Sequence, residues 1–460
     1  MAPHRSLALA AAAAVLAGTT AWAASVDHGA TGGAPADREQ HVRGDAVVVF
    51  DVGEVDAEVV AKAAQVADAS GGSWTTSRTG SLGTRSILRS GASIHGAPDG
   101  FLTPMIYVAF PAATLGWVVG FDAAAAATPN GTQLRAGLNE RTAALTGASA
   151  GDLIEVVTRA GTVVRIEVGA IVPDSILGGA ELVITTATAD ALGEPPDTRA
   201  VIWGFDTRDQ VEAALAASGL EQRRNTGVAR SWDQMSPDST LGTLTVKERL
   251  GEPWYQLDPD PESSFVTMHP AWRAAHLTSG RILLSEGVPI VARCHVRIVD
   301  DLRAALDEVA AAGLVGAFDV DNANTYGGCY APRFSRGSGF LSRHALGMAL
   351  DTNTVTNCQG CTPQMNCDVV RIFRKHKFAW GGNFSRHDGM HFEWVGEPRD
   401  QIPYDSDFCD NIVTEPQPTD TTTTTSIVPP EAHKQVGEAG GSPAGELGAR
   451  VLMAGVEAGE

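Results

Sequence analysis

The sequence predicts an α+β protein with two folded regions, and three observations carry that prediction. Short runs of aliphatic and β-branched residues with strand character are interspersed with stretches of helical period, so neither an all-α nor an all-β class fits. Between about residues 221 and 263 the composition turns rich in Pro and Asp, which divides the chain. All six cysteines lie beyond that division, at Cys294, Cys329, Cys358, Cys361, Cys367 and Cys409.

The first region is expected over 45–220. Residues 47–50, Val-Val-Val-Phe, read as a strand. Residues 56–67 have helical composition, with Val59, Val60, Ala63 and Val66 suited to one buried face. A similar unit recurs, with a strand at 200–203 and a helix at 207–218 that Thr207 or Asp209 suits as cap. An acidic residue follows each strand, Asp51 in the first unit and Asp206 in the second. Between the units, 153–158 and 162–168 alternate as a hairpin around Ala160-Gly161, and 182–185 adds a strand. The prediction is an α+β domain of two strand–helix halves with a β-rich insert. It holds no catalytic cluster at informative spacing, so packing, wall targeting and partner binding all stay open for it.

Residues 221–263 read as a linker. Asp233, Pro237, Asp238, Pro253 and the run Asp258-Pro-Asp-Pro-Glu262 suggest an extended connection stiffened by proline.

The second region is expected over 264–410. Strand candidates at 282–284 and 288–291 flank Gly287. Residues 298–312 form an amphipathic helix, with Leu302, Leu306 and Val309 at helical spacing and Asp300 or Asp301 near its positive end. Gly313 is placed to stop it. A shorter helix at 369–376 turns Val370 and Phe373 inward and Arg371, Arg374 and Lys375 outward.

The ends of the chain read as an address and a tail. Arg5, the apolar run 7–18 and Ala21-Trp22-Ala23 have the layout of a secretory signal peptide over 1–24. A membrane anchor would need a longer apolar run, so no stable membrane insertion is expected after signal cleavage. A flexible leader at 25–44 and a disordered Thr/Pro/Gly-rich tail at 411–460 complete the chain. The formal net charge of -20 speaks against a nucleic-acid partner, which would require a basic face.

In an exported chain an even number of cysteines suggests disulfides. The rival is a second metal site on Cys358-Gln-Gly-Cys361 and Cys367, but no further Cys-x-x-Cys or close His pair completes it. The helix at 298–312 returns the chain between Cys294 and Cys329, so a bridge between these two is expected. The pairing of the other four stays open.

The chemistry concentrates in Ser342-Arg-His-Ala-Leu-Gly-Met-Ala-Leu-Asp351 and Asp388-Gly-Met-His-Phe-Glu-Trp394. His344, Asp351 and His391 supply two imidazoles and one carboxylate, a set that holds a divalent metal and leaves a position open for water. Asp388 lies three residues before His391, close enough to serve as general base without being a ligand. Ser342 and His344 would share one face of an extended segment, and Gly347 permits a turn. His391 and Glu393 would point the same way from a strand, which makes Glu393 a partner able to fix an imidazole tautomer. His387-Asp-Gly-Met-His391 resembles the helical H-E-x-x-H motif, but Gly389 weakens a helix there. His295 and His376 read as structural.

These residues resemble a known family. Arg333, Ser342-x-His344-x-x-Gly347-x-Ala349-x-Asp351, Phe378-x-Trp380-Gly381-Gly382 and Asp388-x-x-His391-Phe392-Glu393 look like the zinc D-alanyl-D-alanine carboxypeptidase family, which includes L-alanyl-D-glutamate endopeptidases. The match covers about 264–400. The resemblance implies a hedgehog-like α+β fold and peptidoglycan stem peptides as substrate and partner. It implies one zinc ion held by His344, Asp351 and His391, and Asp388 as general base. Arg333 would bind substrate and stabilise the oxyanion, with Arg336 a weaker candidate, and Ser342 would lie on the substrate side. Such an enzyme would work outside the cell, associated with the wall. The alternative is a wall-binding or signalling module that uses the same zinc fold as a scaffold.

Overall fold

The computed structural model describes residues 45–413 except 52–53, 159, 197–198, 224–225, 261–262, 320–325, 336–338 and 385. The expected signal peptide, the leader, Arg336 and residues 414–460 of the expected tail lie outside the described residues.

The first strand, Ala46–Asp51, is buried along almost its whole length and pairs antiparallel with Arg199–Trp203 on one side and Thr226–Arg230 on the other. Its helix, Ala57–Ala69, starts where the Asp56 carboxylate accepts the Glu58 N–H at 2.8 Å. The second helix, Arg208–Ser218, is capped by Thr207, whose hydroxyl accepts the Gln210 N–H. Val59, Ala63 and Val66 of the first helix share a core with Val211 and Leu215 of the second. The two strand–helix units therefore lie together, although about 150 residues of sequence separate them.

Between them the chain closes a six-stranded barrel. Ser73–Arg89, Thr103–Phe110, Leu182–Thr185, Leu134–Asn139, Val163–Val172 and Leu153–Val157 are neighbours in that order, and the last pairs back onto the first. The long strand Ser73–Arg89 serves both assemblies, because its start pairs with Arg199–Trp203. Closure removes the exposed edges such a sheet would otherwise present.

Residues 221–263 are not a spacer. Thr226–Arg230 completes the first sheet, and Thr243–Leu250 is a helix that buries Leu244, Val246 and Leu250. Lys247 of this helix meets Glu181 at 2.6 Å with both side chains 1% exposed, which ties the segment to the barrel. Burial pushes the Glu181 carboxyl up, and the Lys247 charge opposes it. Leu102 and Tyr255 exchange backbone hydrogen bonds of 2.7 and 2.9 Å across the same junction. The proline and aspartate content had masked the apolar face of the helix.

Beyond residue 264 the core gathers around Val299–Ala311 and Cys367–Lys375, with Leu302, Leu306, Val309, Val370 and Phe373 fully buried. Arg374, expected outward, is buried instead. It forms a two-pronged pair with Asp238, at 2.9 and 2.5 Å, and Asp238 also accepts from the Trp380 backbone and Asn383. A charge is tolerated there because a fixed carboxylate matches the guanidinium fork. Three disulfides join Cys294 to Cys329, Cys358 to Cys361 and Cys367 to Cys409.

Candidate metal centre

A four-stranded antiparallel sheet builds the site, in the order Tyr326–Gly328, Ala349–Thr352, His391–Trp394 and Phe378–Trp380. Asp351 and His391 are direct partners in the central ladder, so their side chains leave the same face. His344 comes from the short 3-10 turn Arg343–Leu346 that precedes the sheet. Gly347 ends this turn at φ +67, and a Cβ there would meet the His295 backbone nitrogen at 2.9 Å. Both the left-handed conformation and the close approach require glycine.

Three donor atoms converge. His344 Nε2 lies 3.0 Å from Asp351 Oδ1 and 3.2 Å from His391 Nδ1, and the third edge, His391 Nδ1 to Asp351 Oδ1, is 3.1 Å. Tetrahedral zinc at about 2.0 Å from its ligands asks for donor–donor separations of about 3.3 Å. The tautomers agree with this fit. His344 Nδ1 donates to the Cys329 carbonyl at 3.1 Å, which leaves the Nε2 lone pair facing the centre. His391 Nε2 faces the Glu393 carboxylate at 3.5 Å, which leaves its Nδ1 facing in. Lone pairs meeting at these distances repel unless a proton or a cation lies among them. With a proton rather than a cation among these atoms, burial would raise the Asp351 carboxyl, but the charge and hydrogen bond of His344, followed by His391, hold it far below the usual carboxylate range.

Asp388 stands beside this group and outside it. Among the described residues, the cluster of potential ligands within 4.8 Å of one another is His344, Asp351 and His391. The Asp388 carbonyl accepts the His391 N–H at 3.0 Å, and its own N–H donates to the Gly381 carbonyl at 2.8 Å. Gly381 is needed there, since a Cβ would lie 2.5 Å from the Asp388 carbonyl oxygen. Gln359, from the loop closed by Cys358 and Cys361, reaches the Asp388 carboxylate at 3.4 Å.

Other expected residues take different parts. Ser342, expected on the substrate side of an extended segment, is 1% exposed. Its hydroxyl accepts the His344 N–H at 3.2 Å and so caps the turn. That makes it a support for His344 rather than an open contact for substrate. Arg333 is tied to the same segment, because its carbonyl accepts the Ser342 N–H at 3.0 Å. Residues 387–391 form a turn entering a strand, not a helix. His295 lies in the core, and its ring meets the Leu250 carbonyl at 3.0 Å and the Arg297 N–H at 3.1 Å. His376 pairs with Glu308 at 2.7 Å.

Arg343 escaped the sequence reading. It is 8% exposed, lies 3.1 Å from Glu393 and donates to the Leu241 carbonyl. A lone cation next to the candidate ligand His344 and just ahead of the apolar run 345–350 was the available signal.

Comparison with known proteins finds a family match in one segment. A family model described as D-alanyl-D-alanine carboxypeptidase matches residues 335–394. No curated protein matches the chain. Eight solved chains match. One is the extracellular domain of the noncanonic ABC-type transporter YknZ from Gram-positive bacteria, at 10% identity and a TM-score of 0.23, covering 40% of this chain and 99% of that one. The segment 335–394, which holds His344, Asp351, Asp388 and His391, is similar to the D-alanyl-D-alanine carboxypeptidases, a family of hydrolases.

Proposed function

We propose that this protein is a secreted zinc-dependent peptidase acting on peptidoglycan stem peptides, as a D-alanyl-D-alanine carboxypeptidase or an L-alanyl-D-glutamate endopeptidase. The observation that carries this reading is the triangle of His344 Nε2, Asp351 Oδ1 and His391 Nδ1, with edges of 3.0 to 3.2 Å. The similarity of residues 335–394 to D-alanyl-D-alanine carboxypeptidases supports it. A hedgehog-like arrangement around the four-stranded sheet belongs to the same reading.

One zinc ion bound there would lower the pKa of a water molecule and polarise the scissile carbonyl. Asp388 would serve as general base towards a water held there and as proton donor to the leaving amine. Arg333 pairs with a substrate carboxylate or with negative charge developing on the carbonyl oxygen. Glu393 and the Cys329 carbonyl orient the two imidazoles, and Ser342 caps the turn that carries His344. Three disulfides suit an oxidising compartment, and no described helix is long and apolar enough to cross a membrane.

The experiment is digestion of purified peptidoglycan fragments, read by mass spectrometry, with and without a chelator. Release of D-alanine marks a carboxypeptidase, and cut stem peptides mark an endopeptidase. Either product should vanish with the chelator and return with zinc. Intact fragments under every condition would remove the enzyme reading and leave the wall-binding scaffold.

A further inference from the structure

Arg343 joins two parts of the molecule. Its Nε lies 3.1 Å from Glu393 Oε1, and Glu393 Oε2 lies 3.5 Å from His391 Nε2. Its Nη2 donates to the carbonyl of Leu241, one hundred and two residues earlier in the chain. Arg343, Glu393 and His391 are 8%, 1% and 2% exposed. A buried carboxylate needs a fixed partner, and removing one side of such a pair leaves the other charge stranded. Leu241 lies just before Gly242, the cap of the helix Thr243–Leu250, which Lys247 binds to Glu181.

We propose that Arg343 is a positioning residue for the candidate metal centre. It holds the Glu393 carboxylate against the outer nitrogen of His391, so that Nδ1 stays aimed at His344 and Asp351. The planar guanidinium suits this task because its Nε stands beside the Glu393 carboxylate while its Nη2 donates to the Leu241 carbonyl, two directions that a single ammonium serves poorly. The support of the site therefore extends outside residues 335–394, into the segment packed on the barrel. This inference rests on the metal-site reading above.

The test measures zinc dissociation constants of the full chain by chelator competition, together with the visible spectrum of the cobalt form. The variants are Arg343→Met, Arg343→Lys, Glu393→Gln and the double variant Arg343→Met/Glu393→Gln. Arg343→Met and Glu393→Gln should each weaken zinc by about tenfold to a hundredfold. Arg343→Lys should restore only part of the loss. The double variant should match Glu393→Gln within about twofold, because Arg343 acts through Glu393. Arg230→Met, which breaks the ion pairs of Arg230 with Glu212 and Glu221 in the first sheet, serves as the stability control and should lower the melting temperature while leaving zinc affinity and the cobalt spectrum unchanged. Wild-type affinity in both Arg343 variants, losses that multiply in the double variant, or an equal loss in Arg230→Met would each overturn the proposal. If Arg343→Met does not fold, Arg343→Lys and the double variant, which removes both charges, decide it. A wild-type chain that binds no zinc would overturn the metal reading itself, a different outcome from unchanged variants of a zinc-binding chain.

Discussion

Asp351 and His391 face each other across the antiparallel ladder between Ala349–Thr352 and His391–Trp394, with Oδ1 and Nδ1 3.1 Å apart. Register does this work, since a slip of one residue would send one of the two side chains to the opposite face of the sheet. His344 then needs only a short turn to reach them.

Metal content should follow these three residues. The wild-type chain should carry about one zinc, measured by elemental analysis after dialysis. His344→Ala and His391→Ala should each lose it, because two ligands leave a weak site. Full occupancy in both variants would sink the assignment.

Asp388→Asn keeps the shape of the turn that leads into His391 and removes the base. Zinc should stay bound while turnover falls by about a hundredfold or more. Loss of zinc from this variant would make Asp388 a ligand and the proposed chemistry wrong.

The bridge from Cys294 to Cys329 spans a sequence separation of 35. Restricting an unfolded loop of that size stabilises the fold by about 4 kcal/mol on the chain-entropy account. The Cys329 carbonyl also accepts the hydrogen bond that orients His344. Cys329→Ser should therefore lower the melting temperature and reduce activity with the ligands still in place. An unchanged melting temperature in oxidising buffer would refute the contribution.

His295 makes stability depend on pH. Its ring is neutral in the fold, since Nδ1 accepts the Arg297 N–H and Nε2 donates to the Leu250 carbonyl. Burial pushes its pKa down to about 4, and the nearby His276 and Arg297 charges add to that against the Leu250 hydrogen bond. The unfolded chain, with an ordinary value of about 6.5, then binds the proton first as pH falls. Stability from this group is complete above about pH 6.5 and declines towards pH 4, by about 3 kcal/mol in all. Urea unfolding at pH 7.5 and pH 5 should show this decline, and His295→Gln should flatten it. An equally steep dependence in the variant would assign it to other groups.

Helix starts and the candidate-ligand motif were legible because they are local. Asp56 and Thr207 cap the residues that follow them, and Ser342, His344, Gly347 and Asp351 lie within ten positions of one another. Local patterns also misled. Ser342 and His344 were read as extended backbone, whereas the Ser342 hydroxyl closes a turn onto the His344 N–H. The strand Ser73–Arg89 was missed because its Ser, Thr and Gly residues show little alternation, and pairing along both edges makes it a strand. The burial of charge was hidden altogether. Lys247 meets Glu181 66 positions away, Arg343 meets Leu241 at 102, and Arg374 meets Asp238 at 136. A charged side chain reads as exposed until its partner is known, because only a partner at hydrogen-bond distance offsets the cost of taking it out of water. Spacing along the chain marks the candidate ligands, while the tertiary contacts determine which cations are buried behind them.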